Sequence, residues 1–202
     1  MFKKLTTIAT FAILTGCAAA PSSTYIPPTG EEYATSVVMP YDYNTSWSKL
    51  VRAASQTFFA IENFEKDSGL MTLSFGSENV IANIDCGTMN GQNYTSFWMS
   101  RTGNSDIDIS GKMNLLVQPE GEDQTRVSVS ARYIVNMSSS GQTYNYFTGG
   151  MVYFSDSLSM SFDSNSTGSD MTSNPSPGTS AVRTCAPTGN IEQTVIDAIK
   201  SA

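Results

Sequence analysis

Apolar and polar residues alternate along two long segments in the middle of the chain. The first runs from Ile107 to Val117 and the second from Val127 to Met137, with an apolar residue or glycine at every other position. Period-two alternation is typical of strands that have one buried face and one solvated face. Residues 119–123, Pro-Glu-Gly-Glu-Asp, separate them and have the composition of a turn. The pattern therefore predicts a long antiparallel hairpin.

A spacing of three and four residues predicts two helices. The first covers about 45–58, with Asn44 as its expected N-cap, and the second covers about 190–201, starting near Thr188 or Gly189. The first apolar stripe is Trp47, Leu50, Val51, Ala54 and Phe58, and the second is Ile191, Val195, Ile196 and Ile199. A buried stripe is a better interpretation of the first helix than an aromatic-lined binding face.

Further short strands are predicted on both sides of the hairpin. They cover 35–39, 59–64, 70–75, 80–86, 144–147, 151–154 and 158–162. Residues 163–180 are almost wholly Ser, Thr, Asn, Asp, Gly and Pro, which predicts a mobile loop. We expect one α+β domain over 35–202. Its antiparallel sheet has five to seven strands, and its two helices pack side by side on one face.

The first residues have the layout of an export signal. Lys3 and Lys4 precede an apolar run from Leu5 to Leu14, whereas a permanent membrane span needs about 20 apolar residues. A run this short is typical of a cleaved signal peptide, here residues 1–16. The run ends in Leu-Thr-Gly-Cys17, which resembles the lipobox of bacterial lipoproteins.

The lipobox resemblance implies that Cys17 becomes the lipidated N-terminus of the mature protein. One acyl chain holds a protein only marginally, so stable attachment needs more than one. Residues 17–34 would then be the lipidated N-terminus and a flexible tether. For a Gram-negative envelope, Ala18 in place of an aspartate implies the outer membrane, with the domain facing the periplasm. The alternative is an ordinary secretory signal with a chance cysteine.

The other two cysteines predict a disulfide. If lipid occupies Cys17, Cys86 and Cys185 remain in an oxidising compartment, where a pair of cysteines is normally bridged. The bridge would hold the approach to the C-terminal helix against the strand that ends at Cys86. The alternative is two buried free thiols.

Charge excludes one class of partner. The chain has 11 basic and 18 acidic residues, and loss of Lys3 and Lys4 with the signal would leave 9 basic residues. Nucleic-acid binding depends on neutralising phosphates, so we expect no nucleic-acid partner. The expected partners are membrane lipid through Cys17 and an envelope protein; the sequence leaves the oligomeric state open.

Catalytic motifs are missing from the sequence. There is no histidine, which removes the usual general base and every Ser-His-Asp or Cys-His site. Cys86 and Cys185 form no Cys-x-x-Cys pair, and no phosphate-binding glycine loop is present. Hydrolysis by paired carboxylates stays open, although Asp106 and Asp108 are better explained as a solvated strand face. We expect no enzyme activity and no cofactor.

One segment of the polar loop partly matches a calcium-binding loop. Asp163, Asn165 and Thr167 stand at positions 1, 3 and 5, and Gly168 stands at position 6. Asn174 occupies position 12, where such loops carry a glutamate. We favour a chance match and expect no metal site.

Two segments combine aromatic and polar residues in alternation. They are residues 93–99, which contain Trp98, and residues 143–147, which contain Tyr144 and Tyr146. They are interpreted as strands that cover the sheet or, alternatively, as an exposed aromatic patch for a protein or glycan partner. Trp98, Tyr144 and Tyr146 are the candidate binding residues.

A second resemblance covers about 30 of the 202 residues. It consists of Trp47, Leu50, Ala53, Ala54, Phe59 and Ile61, followed by residues 66–70, Lys-Asp-Ser-Gly-Leu. This helix–strand–turn–strand pattern resembles the helix-grip type domain of envelope lipoproteins such as the C subunit of the β-barrel assembly machinery. The resemblance implies helices across one face of a small sheet and a non-catalytic scaffold or accessory role in an outer-membrane assembly. The alternative is a binding module for a small ligand, glycan or peptide.

Overall fold

The computed structural model describes residues 24–77, 79–100, 104–145, 149–171 and 182–202. The helices are α1 (Tyr43–Ser55), α2 (Val80–Asn83), α3 (Tyr94–Met99) and α4 (Asn190–Ser201). The strands are β1 (Tyr25–Ile26), β2 (Ser36–Met39), β3 (Ala60–Glu65), β4 (Leu70–Ser77), β5 (Ile84–Asp85), β6 (Thr88–Met89), β7 (Gln92–Asn93), β8 (Asn104–Pro119), β9 (Thr125–Asn145), β10 (Gly150–Asp163), β11 (Gly168–Met171) and β12 (Val182–Pro187).

A six-stranded antiparallel sheet forms the centre of the fold. Its order is β10-β9-β8-β4-β3, and β2 pairs with the first residues of β9. The hairpin predicted from the alternating pattern is confirmed as β8 and β9, paired from Asn104↔Ser140 to Pro119↔Thr125. The α+β class and the antiparallel sheet are confirmed as well. Two three-stranded sheets, β1-β6-β7 and β11-β12-β5, lie outside the central one.

One face of the central sheet carries the core. The apolar positions of β8 and β9 are buried, and α1 and α4 contact each other as well as these strands. The buried residues of the two strands are Ile107, Ile109, Met113, Leu115, Val117, Val127, Val129, Ala131, Tyr133, Val135 and Met137. The opposite face is polar: Asn136 Nδ2 donates to Asp108, and Thr72 Oγ1 donates to Asn114.

Of the two long helices, α4 has the predicted bounds and α1 differs from its prediction. Its N-cap is Asp42, whose Oδ1 accepts hydrogen bonds from the backbone N–H groups of Asn44 and Thr45. The prediction of Asn44 as the cap is therefore wrong, because the aspartate two residues earlier satisfies the free N–H groups. Phe58 lies beyond the end of α1 and is exposed, so it does not belong to the buried stripe.

Several predicted strand bounds are corrected. Residues 80–83 form the helix α2 rather than a strand. The predicted strands 144–147, 151–154 and 158–162 belong, in their described parts, to the longer strands β9 and β10. The start of the predicted mobile loop forms strand β11, because Gly168 to Met171 pair with Cys185 to Val182.

Parts of the predicted tether contact the domain. Tyr25 and Ile26 pair with Met89 and Thr88, and the Thr24 N–H donates to Asn90 Oδ1. These contacts contradict a free tether at residues 24–26, where Tyr25 packs partly buried against the core, and at Tyr33, which donates a hydrogen bond to Glu192. Residues 18–23 and Cys17 lie outside the described part of the chain. Among the described helices, none has the length and hydropathy that a membrane crossing requires.

Candidate functional site

A disulfide joins Cys86 and Cys185, as the sequence predicted. Both cysteines are buried, and the bridge closes a sequence separation of 99 residues. Next to it, β5 pairs with β12, whose Pro187 lies opposite Ile84. The bridge thus fixes the segment that leads into α4 against the segment that follows α2.

The N-terminal segment is tied to the same place. Tyr25 Oη lies 3.1 Å from the carbonyl oxygen of Cys86 and 2.9 Å from that of Thr184. The Thr184 N–H donates back to Tyr25 Oη at 2.9 Å. The tyrosine hydroxyl therefore connects the first described residues of the chain to both sides of the disulfide.

Trp98 is not part of an exposed patch. It lies on α3, only 1% of its surface is exposed, and its Nε1–H donates to the carbonyl oxygen of Ser138 at 3.3 Å. The strand interpretation of residues 93–99 is also wrong, since Asn93 Oδ1 caps α3 by accepting from the Ser96 N–H. Trp98 is a packing residue between α3 and the sheet.

The other two aromatic candidates are only partly placed. Tyr144 lies in β9, with its backbone opposite Met151 of β10. Tyr146 lies outside the described residues. The neighbouring side chains of Met151 and Tyr153 are exposed, so this end of the β9–β10 hairpin does present large apolar groups to the surroundings.

The described residues include an open cleft of about 690 Å³ between the N-terminal segment and the domain. Its walls are residues 29–33 on one side and residues 165–167 with Ala186 and Pro187 on the other. Glu31 and Glu32 are among the lining residues, whereas none of the lining residues is a lysine or arginine. The cleft suits a polar or cationic molecule better than an apolar one.

Below one wall of the cleft lies a buried carboxyl group that the sequence analysis missed. Glu192 of α4 is 0% exposed, and its two oxygens accept three hydrogen bonds. Tyr33 Oη donates to Oε1 at 3.0 Å, Ser164 Oγ donates to Oε1 at 2.6 Å, and Tyr133 Oη donates to Oε2 at 2.5 Å. Its place in the first turn of α4 also suits a negative charge.

The surroundings of Tyr33 and Tyr133 raise the pKa of both phenols. Burial, followed by the charge of Glu192, raises the pKa of Tyr33 to about 12. The same two causes raise the pKa of Tyr133 still further. Both phenols are therefore neutral hydrogen-bond donors at any physiological pH. Both oxygens of the carboxyl group that they bind accept hydrogen bonds, so this group connects α4 with β9 and with the N-terminal segment.

Gly189 allows Tyr33 to reach this carboxyl group. It precedes α4 with φ of +80°, and a Cβ there would lie 2.3 Å from the Tyr33 ring. The ring packs directly on the backbone at the start of the helix. The aromatic side chain thus holds residues 29–33, one wall of the cleft, in place.

The first residues of the partial calcium motif lie at the end of β10 and the start of β11. Asp163 ends β10 and pairs with Arg132 at 3.3 Å, while Gly168 starts β11. The described residues contain no group of three or more potential Asp, Glu or Cys ligands, and Asn174 lies outside them. Asp106 and Asp108 are exposed on the polar face of the sheet, as the alternating pattern predicted.

Sequence spacing contains a signal for Glu192. It stands three, four and seven residues before Val195, Ile196 and Ile199, inside the apolar stripe of α4. A charged residue in a buried stripe predicts a partner across the core.

No protein-family model, curated protein or solved structure matches the chain.

Proposed function

We propose that the chain is the precursor of a lipid-anchored envelope lipoprotein that serves as a non-catalytic scaffold or accessory subunit of an outer-membrane assembly. The lipobox at Cys17 supports the anchor, and the Cys86–Cys185 bridge fits an oxidising compartment such as the periplasm. The proposed partners are membrane lipid and one envelope protein. The scaffold role rests chiefly on the edge strand β3.

Strand β3 presents one side to the surroundings. It ends the order of the central sheet, so that only β4 pairs with it among the described residues. An edge strand can accept an extended segment of another protein through backbone hydrogen bonds. Phe58 and Phe64, at the two ends of this edge, are 60% and 59% exposed. They supply apolar anchors on either side of the free backbone.

The charges on β3 determine which kind of strand from another protein can pair with it. Glu62 and Glu65 are exposed on β3, and Glu62 pairs with Lys112 of β8 at 2.6 Å. Pairing with a second copy of β3 would bring acidic side chains together, which opposes self-association. The favoured occupant is a neutral or basic strand from a different protein.

The experiment is crosslinking and co-purification of the lipidated protein from envelopes. We expect one stoichiometric partner, and we expect the double variant Phe58→Ser/Phe64→Ser to reduce its recovery about tenfold or more. Burial of one phenylalanine contributes roughly 1.5–3 kcal/mol, and about 1.4 kcal/mol corresponds to a factor of ten. Leu116→Ser, a matched exposed position on the polar sheet face, should leave recovery unchanged.

Equal recovery of the partner with the phenylalanine variant would contradict docking at β3. A monomer without any partner would contradict the scaffold role itself. A Cys17→Ser control separates anchoring from recognition, since the partner should be lost with it only if assembly needs the membrane.

The cleft supports a second function, the capture of a polar or cationic small ligand, glycan or peptide. Its volume of about 690 Å³ lies within the usual range of about 300–1,000 Å³ for ligand sites. Buried Trp98 cannot act as a stacking platform for a glycan, which leaves the carboxylates of Glu31 and Glu32 as the recognition groups. A partner-free monomer in the crosslinking experiment would favour this function.

A further inference from the structure

The turns at one end of the central sheet are charged, whereas the described segments that lie beyond its other end carry no charged residue. At one end lie the β8–β9 turn, with Glu120, Glu122 and Asp123, and the β3–β4 turn, with Lys66 and Asp67. At the other end β8 begins at Asn104 and β4 finishes at Ser77, opposite Ile109, and Asp106 and Asp108 of β8 are exposed on the polar face. We give the name uncharged pole to the described segments that lie beyond the sheet at this second end. It comprises β1, the β6–β7 hairpin, α3 and the paired residues 141–145 and 150–154 of β9 and β10, and it excludes the two aspartates of β8.

Contacts within the described residues hold these parts together. The β1 strand pairs with β6, β6 pairs with β7, and the Tyr94 N–H at the start of α3 donates to Gly87 O at 2.8 Å. Trp98 of α3 then binds Ser138 of β9. The first described residue, Thr24, is therefore connected through α3 to the base of the β9–β10 hairpin.

The described residues of this pole and those next to them include no charged residue. They are residues 24–30, 86–100, 133–145 and 149–155, in a chain with 29 charged residues. The pole nevertheless presents large apolar side chains: Ile26 is 58% exposed, Met99 56%, Met151 55% and Tyr153 76%. Uncharged surface with exposed tyrosine and aliphatic groups is the composition that favours the interface of a lipid bilayer.

The β9–β10 hairpin extends this pole outward. The pairing of β8 with β9 stops at Ser140, whereas β9 and β10 continue together from Gly141↔Phe154 to Asn145↔Gly150. Five further residue pairs at about 3.4 Å per residue form a ribbon of roughly 17 Å. Met151 and Tyr153 lie on this ribbon.

The length of chain before Thr24 places the pole near the membrane. Only seven residues lead from Cys17 to Thr24, which limits that distance to about 25 Å at 3.3–3.6 Å per residue. The charged end lies about 50 Å farther along the 16-residue strand β8. If the anchor is at Cys17, the uncharged pole is thus the end of the domain that meets the bilayer.

We propose that the uncharged pole is a membrane-docking face, and that the ribbon residues Met151 and Tyr153 contact the lipid interface. This inference rests on the proposed lipid anchor at Cys17. It assigns the pole to lipid rather than to a protein, and it turns the acidic end of the domain away from anionic headgroups.

The test uses the full lipidated protein in vesicles of phosphatidylethanolamine with a minority of phosphatidylglycerol. Tyr153→Cys and, as the matched control at the charged end, Glu122→Cys each introduce one free thiol, since lipid and the disulfide occupy the three natural cysteines. Each variant carries the same environment-sensitive fluorophore. Both positions are exposed, so the fold should tolerate the label.

We expect brominated lipid to quench the label at position 153 and aqueous iodide to quench it several-fold less than the label at position 122. Equal access of iodide to both labels in vesicle-bound, acylated protein would overturn the docking face and leave the lipid anchor intact. Protein without acyl groups at Cys17 would overturn the anchor and, with it, the docking face. Mass analysis of the same preparation distinguishes these two failures.

Discussion

Replacement of Cys86 and Cys185 together by alanine is expected to lower the free energy of unfolding by about 3–5 kcal/mol, the range for a native bridge over a loop of this length. The bridge closes a separation of 99 residues and therefore restricts the unfolded chain strongly. It also holds β12 against β5, beside the position where Tyr25 binds. Denaturant titration of the wild type and the double variant measures the difference.

Two further observations complete this test. Cys17→Ser should leave the unfolding free energy unchanged, because it removes a cysteine and keeps the Cys86–Cys185 bridge. A loss below about 1 kcal/mol in the double variant, or two free thiols in the exported protein, would contradict a stabilising bridge.

The second large effect is expected at Glu192. Glu192→Ala should lower the free energy of unfolding by about 3–5 kcal/mol, because it removes the acceptor of three hydroxyl groups and a buried unsatisfied donor costs about 1–3 kcal/mol. The donors are Tyr33, Tyr133 and Ser164, and Tyr133 also stacks on Phe162 in the core. Thermal and denaturant unfolding both measure the loss.

Asp197→Ala is the matched control on the same helix. Its carboxylate is exposed, pairs with Lys200 at 3.7 Å and accepts from Gln193, so its removal should cost less than about 0.5 kcal/mol. Equal effects of the two substitutions would contradict a structural role for the Glu192 cluster. Faster proteolysis of residues 24–34 in the Glu192 variant would show that Tyr33 holds this segment through the carboxyl group.

Sequence periodicity predicted the strands and helices that bury one face and expose the other. The alternating residues of β8 and β9 and the stripe of α4 have a buried face in contact with the core, so the local pattern and the tertiary structure agree. The disulfide was predicted from the oxidising compartment that the export signal implies and from the two cysteines that remain after Cys17. These features form the centre of the fold.

Elements stabilised by distant partners could not be read from local pattern. Strand β11 is polar, and its structure comes from backbone pairing with β12. The alternation in residues 93–99 suggested a strand, but Asn93 caps a short helix and the buried side chain of Trp98 packs against the sheet. Two-residue strands such as β1 carry no periodicity at all.

In the candidate site, too, local sequence pattern could not predict the features that depend on distant residues. The aromatic pattern named Trp98, whose large apolar surface is used for packing instead. The cleft forms because residues 29–33 return to the domain, and this depends on Tyr33, Gly189 and Glu192, which are far apart in the sequence. Only the position of Glu192 inside an apolar stripe could have indicated that centre.

Intact-mass analysis of the protein extracted from envelopes tests the central claim, the lipid anchor, most directly. We expect a mature chain that starts at Cys17, carries several acyl chains and loses them in the Cys17→Ser variant. A mature chain that starts elsewhere, or one with an unmodified Cys17 thiol, would contradict it.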